Sequence, residues 1–154
     1  MVPGQIMLDV QKTVENVLLE GLLKLGLITD INSAWQRNLY LVHGYYHYIG
    51  LDIHDCYTYL SRETSTKKYE PGMIMTMEPG LYFPASLLDK KPLAAHAITE
   101  DEFDEFIKQT RTNFERYINI GVRIEDDILI TKTGNTILSN AVPKEIEAIE
   151  EMMK

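Results

Sequence analysis

The stretch "GMIMTMEPGLYF", Gly72 to Phe83, decides how this chain is read. Successive side chains of an extended chain point to opposite faces. Met73, Met75 and Met77 then share one face and Ile74, Thr76 and Glu78 the other, with Pro79-Gly80 ending the strand. Glu78 is the odd member. An ionised carboxylate in a strand otherwise rich in apolar residues is costly unless it is paired or bound to a cation. The strand therefore asks for a counter-charge, and Glu78 has no local partner to supply it.

A second stretch raises the same question. "GVRIEDDILIT", Gly121 to Thr131, reads as one strong strand, with Val122, Ile124, Ile128 and Ile130 on one face. Arg123, Glu125 and Asp127 take the other, so Arg123 can pair with Glu125. A third stretch, "HGYYHYIGLDIHD", His43 to Asp55, holds three of the four histidines of the chain. Gly44 and Gly50 suit extended chain and turns better than a helix. His43, Tyr45, His47 and Ile49 then point the same way, and the "GLD" turn lets His54 fold back toward them. Two glutamates and one or more histidines from separate strands make a mixed oxygen and nitrogen site. Such a set suits Mn²⁺, Co²⁺, Fe²⁺ or Zn²⁺ rather than Ca²⁺. On the residues alone, an ordinary set of hydrogen-bonded histidines beside an Arg123–Glu125 pair stays open.

Around these strands the pattern is helical. Met7, Val10, Val14, Val17, Leu18, Leu22 and Leu25 recur at gaps that predict an amphipathic helix over about 7–25, ended by Gly26. "ITDINSAWQRNLY" is ambiguous, a short helix with Trp35 inward being one reading. Residues 86–118 read as mostly helical. There Thr99 and Glu102 have capping-box spacing, and Phe103, Phe106, Ile107 and Phe114 form an inward stripe. "VPKEIEAIEEMMK" closes the chain as a helix with Pro143 in its first turn. No repeat, linker or low-complexity segment interrupts 1–154, which reads as one α+β domain.

Composition narrows the function. With 154 residues, 45% apolar and 25% charged, the chain has the makeup of an ordinary globular protein. A net charge of -8 argues against a nucleic-acid binder and against attachment to an anionic membrane. No run approaches the ~20 apolar residues that span a bilayer, and "MVPGQIMLDV" does not read as a signal peptide. The single cysteine, Cys56, excludes an internal disulfide and fits a cytoplasmic setting; it reads as a small buried side chain.

Taken in order, the three stretches closely resemble the C-terminal half of the pita-bread (creatinase/aminopeptidase) metallopeptidases. Xaa-Pro aminopeptidase (aminopeptidase P) is the most similar and prolidase the next. The lead-in "VPG", the helix after it and "VPKEIEAIE" extend the resemblance over nearly the whole chain. It implies a curved antiparallel sheet with outer helices, and a hydrolase acting on peptides with proline in second position. Five side chains hold two metal ions in that family. The resemblance assigns His47, Glu78 and Glu125 to that set, with Glu125 bridging, and Mn²⁺ first among Mn²⁺, Co²⁺, Zn²⁺ and Fe²⁺. Glu78 would also relay a proton, His43 and His54 would position the substrate and steady the tetrahedral intermediate, and Arg123 would orient the carboxylates. His96 lies outside every motif and reads as an ordinary histidine.

The family's remaining two ligands are aspartates on an upstream β-hairpin. Before His43 this sequence offers only Asp9 and Asp30, too far apart and in the wrong elements. The expectation is thus that 1–154 is a partial catalytic domain, lacking the N-terminal half with its two aspartates. Metal binding would be weak or absent, and activity alone weak or absent. A homodimer or a complementing N-terminal half would be the partner. The alternative is a non-catalytic peptide- or protein-binding module derived from the same fold.

Overall fold

The computed structural model describes residues 1–55, 66–89 and 98–154; Cys56 and His96 fall outside them. In chain order the elements are α1 (Met7–Lys24), α2 (Ala34–Tyr40), β1 (Ile74–Met77), β2 (Gly80–Tyr82), a 3-10 turn (Leu87–Asp89), α3 (Glu100–Phe114), β3 (Gly121–Arg123), β4 (Asp126–Ile130), β5 (Asn135–Ile137) and α4 (Ile146–Met152). They fall into two compact units. One comprises Met1–Lys12, Gly44–Pro79 and Arg123–Lys154, the other Thr13–His43 and Gly80–Val122.

The first unit is built on a three-stranded antiparallel sheet in the order β1-β4-β5. The alternation read in β1 decides its two faces. Met75 is fully buried, in a core with Met7, Val10, Tyr69, Ile128 and Ile130, and Met73 and Met77 pack against that core. Thr76 and Glu78 lie on the other face, joined by a hydrogen bond. Pairing sets Ile74 opposite Leu129 and Met77 opposite Asp126. On the other side of β1, residues 45–49 run extended. Ile49 N–H donates to Ile74 O, Thr76 N–H to His47 O and Glu78 N–H to Tyr45 O. Residues 43–55 contain no helix, as their glycines and tyrosines led one to expect.

"GVRIEDDILIT" is not one strand. It divides into β3 and β4, which belong to different sheets. Val122 and Ile124 are 53% and 49% exposed and do not share the buried face of Ile128 and Ile130. The cause lies on the opposing strand. Ile124 N–H donates to Pro79 O at 3.3 Å, but proline has no N–H to return the bond, and the ladder lapses there. The closing helix also differs. Glu145, with extended backbone, is the N-cap of α4, so Pro143 precedes the helix rather than opening it. Lys144 reaches Asp126 at 3.0 Å and holds this segment at the start of β4, where Ser139 Oγ also donates to Asp126. None of the residues of α4 is buried.

The second unit packs Leu19, Leu22, Leu27, Ile28, Leu39, Tyr40, Phe83, Leu87, Leu88, Phe103, Phe106 and Phe114 into one core. It also contains β2 and the first two residues of β3, the strands of the two-stranded sheet. The buried stripe of α1 here is Leu19 and Leu22, while Val17 and Leu25 are exposed. The helix is apolar on more than one face, and the core takes only one of them. Gly26 ends it at φ +66°, with Gly26 N–H donating to Leu23 O and Leu27 N–H to Leu22 O. This left-handed cap suits glycine, and a Cβ there would also strike the Asn113 side chain. The ambiguous "SAWQRNLY" is helical, capped by Ser33, and Trp35 meets Phe106 edge-on at 4.8 Å.

The capping box read at Thr99 is present. Glu102 N–H donates to Thr99 Oγ1, and Thr99 N–H donates to Glu102 Oε2 at 2.8 Å. That backbone bond first, and the Thr99 hydroxyl second, hold the Glu102 carboxyl below the usual glutamate range.

Met75→Ala should cost about 2–5 kcal/mol in urea unfolding, because it removes a fully buried side chain from the first unit's core. Thr99→Ala should cost about 1 kcal/mol by loss of the cap. Because its native pKa is depressed, Glu102 stabilises the fold above the ordinary glutamate pKa. That contribution drains away as pH falls through the lowered value. Glu102→Gln should therefore be less stable than the parent at neutral pH and equal to it in strong acid.

Candidate metal centre

The β1–β4 register brings the two glutamates together. Met77 pairs with Asp126, so the next step outward sets Glu78 opposite Glu125. Like charges directly opposite across an antiparallel pair are destabilising. The segment 45–49 adds His47, which lies opposite Thr76 through the bond from Thr76 N–H to His47 O. One ligand atom from each of His47, Glu78 and Glu125 lies within 4.8 Å of the others. Three neighbouring extended segments of the first unit thus supply one side chain each. Glu78 is buried, His47 half-buried and Glu125 exposed.

The bonds around the cluster fix how it is oriented. His47 Nδ1 lies 3.0 Å from Tyr48 O. A carbonyl only accepts, so a proton on Nδ1 satisfies this contact, and a neutral ring then carries its lone pair on Nε2. That nitrogen sits 3.0 Å from Glu78 Oε1. A lone pair facing a carboxylate oxygen at this distance needs a positive charge between them, either a proton or a metal cation. Imidazoles that ligate metals commonly donate their other N–H to a carbonyl in this way. The donor set of one imidazole nitrogen and two carboxylates therefore fits a divalent cation.

The remaining oxygen of Glu78 is also held. Arg123 Nη1 donates to Glu78 Oε2 at 3.2 Å. Arg123 thus reaches Glu78 from across the fold, where spacing along its own strand had suggested Glu125. Thr76 Oγ1–H donates to Glu78 Oε1 at 2.8 Å and accepts from His47 N–H at 2.9 Å. Thr76 had been placed on the face of Glu78 by alternation but given no part in the site. A hydroxyl two residues before a buried glutamate on the same strand face is the signal that could have found it.

His54 does fold back. Asp55 N–H donates to Tyr48 O at 3.3 Å, and the His54 ring lies 4.6 Å from the His47 ring, centroid to centroid. Gly50 permits this turn, because a Cβ there would collide with the Asp55 carboxylate. His43 belongs to the second unit, where its ring meets Tyr82 edge-on at 6.0 Å. Of the six residues singled out in the sequence, His47, Glu78, Glu125, Arg123 and His54 lie in the first unit.

Known proteins resemble this chain over nearly its whole length. The family model for metallopeptidase family M24 matches residues 1–132. Xaa-Pro aminopeptidase of Escherichia coli (strain K12) is 36% identical over 98% of this chain and 29% of its own length. Xaa-Pro dipeptidase of Rattus norvegicus is 32% identical over 99% of this chain and 32% of its own. The fold superposes on zinc-substituted E. coli aminopeptidase P in complex with product with a TM-score of 0.70 at 35% identity, covering 99% of this chain and 30% of that one. The architecture is thus that part of the pita-bread fold, α+β with antiparallel sheets and helices. The chain spans about a third of the length of the curated relatives it matches. It belongs to metallopeptidase family M24.

Proposed function

We propose that this chain carries part of the catalytic centre of an Xaa-Pro aminopeptidase-type metallopeptidase, with a prolidase-type dipeptidase as the nearest variant. The convergence of His47, Glu78 and Glu125 is the observation that carries this reading. These three side chains would hold a divalent cation, with Mn²⁺ first, and Co²⁺, Zn²⁺ and Fe²⁺ compatible with the same donors. Such a cation supplies a water acidic enough to act as a nucleophile near neutral pH. In this reading Glu78 would serve as the base that accepts a proton from the attacking water and returns it to the leaving amine. Arg123 holds Glu78 Oε2 so that the carboxylate keeps its orientation. His54, beside His47, donates to the developing oxyanion, and His43 positions a peptide with proline at its second residue.

No residue of the 154 matches the two aspartate ligands that the resemblance calls for: Asp9 lies within α1, and Asp30 follows Gly26. As a partial catalytic domain, the chain alone would hold a metal only weakly, on three side chains, and hydrolyse Xaa-Pro peptides weakly or not at all. A complementing N-terminal half would supply the two aspartates, whereas a second copy would cover exposed apolar surface without supplying them. The half-exposed Val122 and Ile124 support such association. A single cysteine supports a cytoplasmic setting, and among the described residues no helix is long and apolar enough to cross a membrane.

Mn²⁺ titration followed by electron paramagnetic resonance tests the reading. Wild-type chain should show saturable binding, and Glu78→Gln and His47→Ala should lose it while keeping the parent's far-ultraviolet circular dichroism. Binding unchanged in both variants would overturn the assignment. Assays of the chain with Xaa-Pro peptides and Mn²⁺ should show little release of the residue before proline. Robust release that disappears in Glu78→Ala would show that the chain is catalytically sufficient.

A further inference from the structure

We propose that Thr76 is a positioning residue of this centre, its hydroxyl setting the orientation of the Glu78 carboxylate relative to the His47 imidazole. The inference rests on the metal-site reading above and adds to it a residue that neither ligates nor pairs by charge. Thr76 is 1% exposed, and its hydroxyl has a fixed direction. The backbone N–H of His47 can only donate, so Oγ1 accepts there at 2.9 Å. An ionised carboxylate can only accept, so the Oγ1 proton goes to Glu78 Oε1 at 2.8 Å. One hydroxyl therefore joins the main chain of one candidate ligand to the side chain of the other.

The consequence is positional. Glu78 Oε1 is the oxygen that faces His47 Nε2 at 3.0 Å, and Oε2 is taken by Arg123. Two donors of different kinds, one on each oxygen, leave the carboxylate little freedom to rotate. Thr76 N–H also donates to His47 O at 2.9 Å, so residues 47 and 76 are joined by two bonds in opposite directions. Removing the hydroxyl frees Oε1 to turn away from Nε2 and loosens the strand that carries the imidazole. A cation held between those atoms should feel both changes. Partners of this kind typically influence metal affinity by about 10–100-fold.

The experiment compares Thr76→Val, which keeps shape and removes the hydroxyl, with Thr76→Ser, which keeps the hydroxyl. Co²⁺ binding is read from its ligand-field absorption at a temperature where circular dichroism shows each variant folded. Thr76→Val should weaken Co²⁺ binding by at least about tenfold and alter the band shape, while Thr76→Ser stays within about twofold of wild type. Should Thr76→Val not fold, Thr76→Ala makes the same comparison. A merely structural threonine would lower the melting temperature in the hydroxyl-free variant and leave Co²⁺ affinity and band shape unchanged; that result overturns the inference. A wild-type chain with no saturable Co²⁺ absorption overturns the metal-site reading, and the inference with it.

Discussion

Two carboxylates set opposite each other across an antiparallel strand pair repel, and a third group with a lone pair aimed at one of them makes the conflict worse. This is the constraint on which the first unit depends. The register that buries Met75 against Ile128 also sets Glu78 opposite Glu125. A shift by one residue would relieve the repulsion, but it would turn the methionine face out of the core. Hydrophobic burial on one face therefore enforces electrostatic strain on the other. Arg123 offsets part of that strain through Glu78 Oε2. The Oε1 side, facing His47 Nε2, is left to a proton or a cation.

The faces of β1 were legible in the sequence because alternation is a local property. So were α1, α3 and the capping box, whose signals lie within a few residues of one another. The division of "GVRIEDDILIT" was not legible. Its own alternation is unbroken, and the interruption comes from Pro79, more than forty positions earlier. Strand spacing likewise offers Arg123 only Glu125, while the fold brings Glu78 across, in keeping with the carboxylate-orienting role that the resemblance implied. Pro143 misled because a proline before a helical pattern suggests the first turn, whereas Glu145 keeps an extended backbone and the helix opens only after it.

The candidate site divides similarly. Its residue types could be read from three motifs in order, and the fold they imply is that of the M24 family. What the motifs do not carry is the hydrogen-bond polarity that makes the cluster suit a cation. That polarity depends on the Tyr48 carbonyl set against His47 Nδ1 and on Thr76 joining His47 to Glu78. Each is a contact of an ordinary residue, invisible until the 45–49 segment is laid against β1. His43 and His54 share one stretch of sequence, yet they belong to different units.

The central claim is that His47 Nε2 and Glu78 Oε1 face each other as the two sides of a cation slot. Long-range ¹H–¹⁵N correlation spectra of the histidine rings, recorded on the chain with and without Zn²⁺, test it most directly. The account predicts that Zn²⁺ moves the His47 Nε2 resonance to a metal-bound position while Nδ1 stays protonated. A His47 ring that keeps its proton on Nε2, or whose nitrogens do not respond to Zn²⁺, would contradict it.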